Sequence, residues 1–252
     1  MKIDCGVEML ELPVTSMGKV NVFCPTLLWD NNTCILVDAG YPGQFMQVRQ
    51  VIEKAGILFN QINKIIITHQ DIDHVGCLIN LINELPEDLE ILAHEEEKAY
   101  LQGEKVPRKL TLFESERYTL SEENKVRYNI LKDFYKDFAV RVDNTLYDRE
   151  ELPYCKGIEV IHTPGHSPGH ICLYHKQSKT LITGDALIME GDRLFGPNPV
   201  HTLDMSLALK SLEKLTHYDI KKVICYHGGI YSDNPNRRIA ELISSSDSYE
   251  RI

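Results

Sequence analysis

Thr68-His69-Gln70-Asp71-Ile72-Asp73-His74-Val75-Gly76 sets two histidines and two aspartates within six residues, between the apolar run NKIIIT (63–68) and the helix-periodic stretch HVGCLINLINEL (74–85). A continuous apolar run of this kind suits a strand buried on both faces. The strand end feeding a helix is a rigid corner, and positions 69, 71 and 73 can turn to a common side. Neutral imidazole and carboxylate are the ligands that hold Zn or Fe while leaving positions open for water. A purely structural role, in which Asp71 or Asp73 caps the 74–85 helix, accounts for one aspartate and not for the set.

Outward from this corner the chain alternates strands and helices. GKVNVFCPTLLWD and TCILVDAG flank the turn Asp30-Asn31-Asn32 and predict a hairpin. FMQVRQVIEKAGI (45–57) has helical spacing, with Val48, Val51, Ile52 and Ala55 on one face, and LEILAH (89–94) is a further strand. From about 95 to 155 the texture becomes polar and helix-rich with few strand signals; Val126, Ile130, Leu131 and Phe134 form one apolar face in 124–138. This segment reads as an insertion packed on the main body, since no Gly/Pro/Ser linker isolates it. The second half repeats the earlier pattern: strand 158–163, hairpin 170–185, helix 203–215, strand 221–227 and helix 236–246. Two such halves imply paired sheets covered by helices, within one domain spanning 1–252.

Three more clusters follow predicted strands. His162-Thr163-Pro164-Gly165-His166-Ser167-Pro168-Gly169-His170 holds two Pro-Gly pairs that stiffen a loop around His166. His162 and His170 lie at the strand ends, where a histidine is more often a hydrogen-bonded packing residue than a ligand. Thr183-Gly184-Asp185-Ala186 puts a carboxylate at a strand end, and Tyr226-His227-Gly228-Gly229 does the same for a histidine. His94, His175, His201 and His217 lack a partner motif and read as surface residues.

The chain has 252 residues, 27 Lys and Arg against 37 Asp and Glu, and a formal charge of −10. That balance argues against a sequence-independent grip on nucleic acid, which needs a basic surface. No apolar run reaches the ~18–20 residues of a membrane span, and Asp4 and Glu8 interrupt any leader-like stretch at the N-terminus. The seven cysteines (5, 24, 34, 77, 155, 172 and 225) are odd in number and scattered, without a CxxC pair. Reduced thiols in a cytoplasmic compartment are the expectation.

Taken together, the HxDxDHxG run, the TPGHSPGH loop, the TGDAL step and the closing HGG resemble the metallo-β-lactamase superfamily in order and spacing. Val37-Asp38-Ala39-Gly40 resembles that family's early strand-end aspartate motif. The resemblance covers nearly the whole chain. It implies an α+β fold, a four-layer αββα sandwich with a helical insertion, and two divalent metal ions along one edge of the sheets. One metal would be held by His69, Asp71 and His166, the other by Asp73, His74 and His227, with Asp185 bridging; Asp38 would orient a ligand histidine. The commonest family pattern has histidine where this chain has Asp71, so ligation there is direct, through water, or absent. Three carboxylates against two divalent cations leave +1, one unit less than with histidine, which shifts preference from Zn toward Fe or Mn.

The activity this implies is metal-dependent hydrolysis of an ester, lactone, thioester or amide of a small molecule. Two cations roughly 3.5–4 Å apart make water a nucleophile near neutral pH, with Asp73 as proton acceptor or relay. Lactone-cleaving members carry a tyrosine three residues after the bridging aspartate; here that place is Ile188, with Tyr226 or Tyr231 as weak substitutes. Iron-dependent redox chemistry is the main alternative. Against it, about 25 residues follow His227 in this sequence, too few for the flavin domain of the diiron branch. Phosphodiesterase or nuclease activity fits the acidic balance poorly. The 95–155 segment is expected to roof the metal edge, and Arg193 and Phe195 in the loop 190–201 are candidates for substrate contact.

Overall fold

The computed structural model describes residues 2–4, 6–16 and 19–244. Cys5 and the last two residues of the predicted 236–246 helix fall outside them. β1 (Lys2–Asp4) and β2 (Val7–Met9) pair antiparallel, and β3 (Leu12–Ser16) and β4 (Lys19–Phe23) form a separate two-stranded ribbon. β5 (Thr26–Trp29) and β6 (Cys34–Val37) are the expected hairpin. Its turn is held by Asp30, whose Oδ1 accepts from the amides of Asn32 and Thr33 at 2.8 and 2.9 Å. α1 (Phe45–Lys54) leads to β7 (Lys64–Ile67), then α2 (Ile72–Val75), α3 (Leu78–Glu84) and β8 (Glu90–His94).

The sequence reads 74–85 as one helix; it is broken at Gly76. A Cβ there would lie 2.2 Å from the nitrogen of Pro42, so the 38–42 loop passes where a side chain would be, and the helix restarts after Cys77. The break lets the Gly76 amide donate to the Gly40 carbonyl at 2.8 Å, and the Ala39 amide to that of His74 at 2.7 Å.

Segment 95–155 contributes α4 (Glu95–Leu101), α5 (Arg108–Ser115) and α6 (Glu122–Lys136), but also two short strands that the sequence reading missed. β9 (Asn144–Leu146) runs parallel to β8, and β10 (Glu151–Leu152) pairs with β11 (Ile158–His162). β12 (Ile171–His175) and β13 (Thr180–Ile182) form the second expected hairpin. β14 (Ile188–Glu190) and β15 (Arg193–Phe195) make a small ribbon, followed by α7 (Met205–Leu212), β16 (Lys222–Cys225), β17 (Gly229–Tyr231) and α8 (Pro235–Ser244).

The strands form a seven-stranded sheet, β1-β2-β5-β6-β7-β8-β9, and a six-stranded sheet, β10-β11-β12-β13-β16-β17. Strand alternation divides the apolar residues between two faces. From the first sheet Leu28, Ile35, Val37 and Ile66 meet Ile158, Val160, Leu173 and Ile224 of the second, giving the central layer. Leu27, Leu36, Ile65 and Ile67 face outward onto Val48 and Ile52 of α1 and Leu78 and Leu81 of α3. Leu181 and Val223 face outward onto Leu212, Leu215, Ile239 and Leu242. The order is helix, sheet, sheet, helix: the αββα sandwich. The six described cysteines are buried and free; burial pushes the thiols of Cys24, Cys34, Cys155 and Cys172 up to about 12. No helix among the described residues is long and apolar enough to cross a membrane.

Candidate metal centre

The ends of β6, β7, β11, β13 and β16 lie along one edge of the sandwich, and the loops leaving them bring all seven sequence-predicted residues together. His69, Asp71, His166 and Asp185 form one donor group, and Asp73, His74 and His227 a second. In the first, Asp71 Oδ2 is 3.3 Å from His69 Nε2 and 3.1 Å from His166 Nε2, and Asp185 Oδ2 is 3.3 Å from His166 Nε2. Tetrahedral ligands about 2.0–2.1 Å from a cation stand about 3.3–3.4 Å apart, so these spacings suit one. In the second, Asp185 Oδ1 is 3.1 Å from His74 Nε2 and 3.2 Å from His227 Nε2, and Asp73 Oδ2 is 3.3 Å from His227 Nε2. Asp185 therefore turns one oxygen to each group.

Buried polar atoms without partners test whether a cation fits. His69 Nε2, His74 Nε2 and Asp185 Oδ1 are buried and make no hydrogen bond, although Asp71 Oδ2 lies 3.3 Å from His69 Nε2 and Asp185 Oδ1 lies 3.1 Å from His74 Nε2. Stranding such atoms is costly unless something accepts their lone pairs. The donor set fits two cations.

The remaining ring nitrogens are engaged so as to present Nε2 inward. Thr68 donates its hydroxyl to Asp38 Oδ2 at 2.9 Å, so its oxygen accepts from His69 Nδ1 at 3.1 Å. Asp38, buried and in the left-handed region (φ 63°), accepts from the Thr68 amide and from His74 Nδ1, both at 2.9 Å. Thr202 donates to the Asn198 carbonyl and accepts from His166 Nδ1 at 3.4 Å. His170 is no part of either group: its Nε2 accepts from the Asp185 amide at 3.0 Å and its Nδ1 donates to Thr163 Oγ1 at 2.8 Å, which anchors the backbone at Asp185. His162 stacks on His94, with ring centroids 3.9 Å apart, and bonds the Pro168 carbonyl. The capping role for Asp71 fails: it stands at the N-cap of α2 but its side chain accepts no cap hydrogen bond.

The charges interlock. Against burial, the nearby Lys109 and His69 hold Asp71 well below the usual carboxylate range. Burial is likewise overcome at Asp73, which His74 and His227 lower to about 2, and at His227, which Asp185 and Asp73 push up to about 10. Burial and the Lys109 ammonium lower His166 to about 4, keeping its imidazole neutral.

Four residues to which the sequence reading gave no role complete the centre. Thr68 opens the first motif, and its position at a strand end was the signal available for it. Lys109 of α5 pairs with Asp71 and lies 3.0 Å from His166 Nε2, returning the unit of positive charge that Asp71 withholds relative to histidine. Glu97 of α4 is buried and ties two loops together: Oε1 accepts from Ser167 Oγ at 2.6 Å and the Gly169 amide at 2.7 Å, and Oε2 from the Gln70 amide at 3.0 Å. Tyr135 of α6 donates to the Gln70 carbonyl at 2.5 Å. Tyr226 is buried and donates to the Asp73 carbonyl, so its hydroxyl is committed to packing.

A cavity of about 640 Å³ opens above the donors, with Asp71, Asp73, Asp185 and His227 in its floor and residues of α5 and α6 in its wall. Arg193 and Phe195 are not among its lining; the Arg193 guanidinium lies over the Phe195 ring, 5.5 Å from its centroid, in the β14–β15 ribbon. His94 and His175 are buried rather than on the surface, the latter bonding Ser178 Oγ and the Cys155 carbonyl. His217 is exposed, and His201 is exposed at the cavity wall.

Comparison with known proteins agrees with this geometry. The chain is 27% identical over 221 residues to the probable metallo-hydrolase YflN of Bacillus subtilis, covering 82% of this chain and 80% of that protein. It is 25% identical over 167 residues to the hydroxyacylglutathione hydrolase GloC of Haemophilus influenzae, covering 66% and 67%. The crystal structure of the metallo-beta-lactamase family protein TTHA1429 from Thermus thermophilus has the same fold, with a TM-score of 0.70 at 22% identity over 95% of this chain and 78% of that one. Residues 25–227 match the family model of the metallo-beta-lactamase superfamily, which is most of the chain, and the chain belongs to that superfamily.

Proposed function

We propose that this chain is a metal-dependent hydrolase of a small molecule carrying an ester, lactone, thioester or amide bond. His69, Asp71 and His166 would hold one divalent cation and Asp73, His74 and His227 a second, with Asp185 shared between them. The observation that carries the reading is the pair of donor groups facing opposite oxygens of Asp185, with His69 Nε2, His74 Nε2 and Asp185 Oδ1 buried and unpartnered. Bound divalent cations supply Lewis acidity and make water a nucleophile near neutral pH. Asp73, on the cavity floor, takes the proton of the attacking water and relays it toward the leaving group. Asp38, Thr68 and Thr202 hold the histidine rings so that no reorientation accompanies the reaction. The hydrolase names of the relatives support the reaction class.

The carboxylate at 71 favours iron or manganese over zinc at the first position, and it is also the one feature that favours an iron-dependent redox activity. The acidic floor and a net charge of −10 speak for a small-molecule substrate and against nucleic acid. Metal analysis of protein purified without added metal, followed by ester, lactone, thioester and amide panels, tests the reading. Two metals per chain and turnover that Asp185→Asn abolishes are expected. A chain with both metals bound and no turnover on any panel overturns it, and zinc alone in both positions overturns the preference for iron or manganese.

A further inference from the structure

Neither α5 nor α6 buries a residue. The apolar face that the sequence predicts on α6 does not pack wholly onto the core: Val126 is 50% and Ile130 43% exposed. Both line the cavity, as do Leu110 and Phe113 of α5, Leu131 of α6 and Val200 of the loop between β15 and α7. Spacings of three (110, 113) and four (126, 130) put these side chains on one face of each helix. A contiguous exposed apolar surface is costly in water and marks a binding surface. The two basic side chains on this wall stand in ion pairs, Lys109 with Asp71 and Arg127 with Glu123 at 2.7 Å, and the remaining wall is mainly apolar.

We infer that the wall receives an uncharged hydrocarbon chain adjoining the scissile bond, which makes the substrate an amphiphilic ester or thioester. This rests on the hydrolytic reading above for its chemistry and on the cavity wall for its specificity. In the reaction the acyl carbon exchanges its bond to sulfur or oxygen for one to the water oxygen, and a water proton ends on the leaving thiol or alcohol. The volume of about 640 Å³ lies within the range of small-molecule pockets. The chain sits either on the acyl side or on the leaving-group side of the bond.

Two thioester series made with the metal-loaded protein distinguish these, one lengthening the acyl group from acetyl to octanoyl, the other lengthening an alkanethiol on a fixed acetyl group. In one series kcat/KM is expected to rise about threefold to fourfold per methylene, and Ile130→Asn is expected to lower the long-to-short ratio at least tenfold. Flat profiles in both series, with turnover present, overturn the hydrocarbon site and leave the hydrolase reading standing. If no thioester is turned over, calorimetric titration with straight-chain carboxylates from acetate to octanoate decides: affinity rising with length supports the site, and uniform affinity overturns it. A dimer in sedimentation velocity that Ile130→Asn dissociates assigns the wall to a second copy of the chain and overturns it too.

Discussion

Glu97→Ala leaves three buried donors facing empty space. The carboxylate, with no solvent exposure, serves the Ser167 hydroxyl and the amides of Gly169 and Gln70. The hydroxyl can rotate to another acceptor; the two amides cannot, and each stranded donor costs ~1–3 kcal/mol. The lost γ-methylene adds ~0.8 kcal/mol. Against this, burial already holds the Glu97 carboxyl above its ordinary range, so deleting the charge returns part of the cost. The net expectation is destabilisation of ~3–5 kcal/mol, a third or more of the stability of an ordinary domain. Glu97→Gln keeps one acceptor oxygen for Ser167 and Gly169 but turns an NH₂ toward the Gln70 amide, for a loss of ~1–2 kcal/mol. Urea unfolding at pH 7.5, followed by far-ultraviolet circular dichroism with and without added metal, measures both. Because Glu97 joins the loop bearing His69 and Asp71 to the loop bearing His166, Glu97→Ala should also weaken metal binding by about 10- to 100-fold. A loss in Glu97→Ala below about 1 kcal/mol refutes the claim that these three bonds tie the loops.

Lys109→Met removes an ammonium beside the first donor group; at about 5 Å and an effective dielectric near 20, its unit charge repels a divalent cation by roughly 6–7 kcal/mol. Competition with a chromophoric chelator should show metal held at least about tenfold tighter in the variant, and unchanged or weaker binding contradicts this. Gly165 has φ +130°, and a Cβ there would lie 2.2 Å from the Ala208 nitrogen. Gly165→Ala should therefore cost about 3 kcal/mol or more in thermal unfolding and reduce metal content by displacing His166, whereas a wild-type melting curve speaks against the clash. Burial and the neighbouring His162 lower His94 to about 4 from 6.5. A histidine whose folded value is depressed contributes stability that is full above 6.5 and lost as pH falls toward 4. Urea midpoints of His94→Gln should thus fall less steeply across that window than those of the wild type; equal slopes contradict the assignment.

Sequence legibility followed the range of the forces involved. The Asp30-Asn31-Asn32 turn is local chemistry, and β7 announces itself through three consecutive isoleucines, so hairpin and buried strand were both readable. The donor residues were readable because strand ends concentrate them in short runs. What escaped depends on contacts distant in sequence. Gly76 breaks a periodic stretch only because Pro42 lies against it. β9 is three residues long and has no period to show. Glu97 sits in Glu95-Glu96-Glu97-Lys98, which reads as a solvated acidic turn, yet its partners lie 27 and about 70 residues away. Lys109 stands beside Arg108 in an ordinary basic helix start, and only the fold brings it to Asp71. The 95–155 segment was legible as a roof over the metal edge, but which α6 side chains line the cavity was not, since periodicity reports which side chains share a face and not what that face meets.

The helical pair α5–α6 supplies much of the cavity wall and, among the described residues, touches the core only through Phe134 and Tyr135. Substitutions along its inner stripe therefore leave the sandwich's packing largely untouched. Selectivity in this molecule is free to drift on a part that the catalytic scaffold scarcely depends on. A laboratory wishing to retune it can graft or randomise that hairpin, provided Lys109 and Tyr135 stay in place to brace the loop beneath.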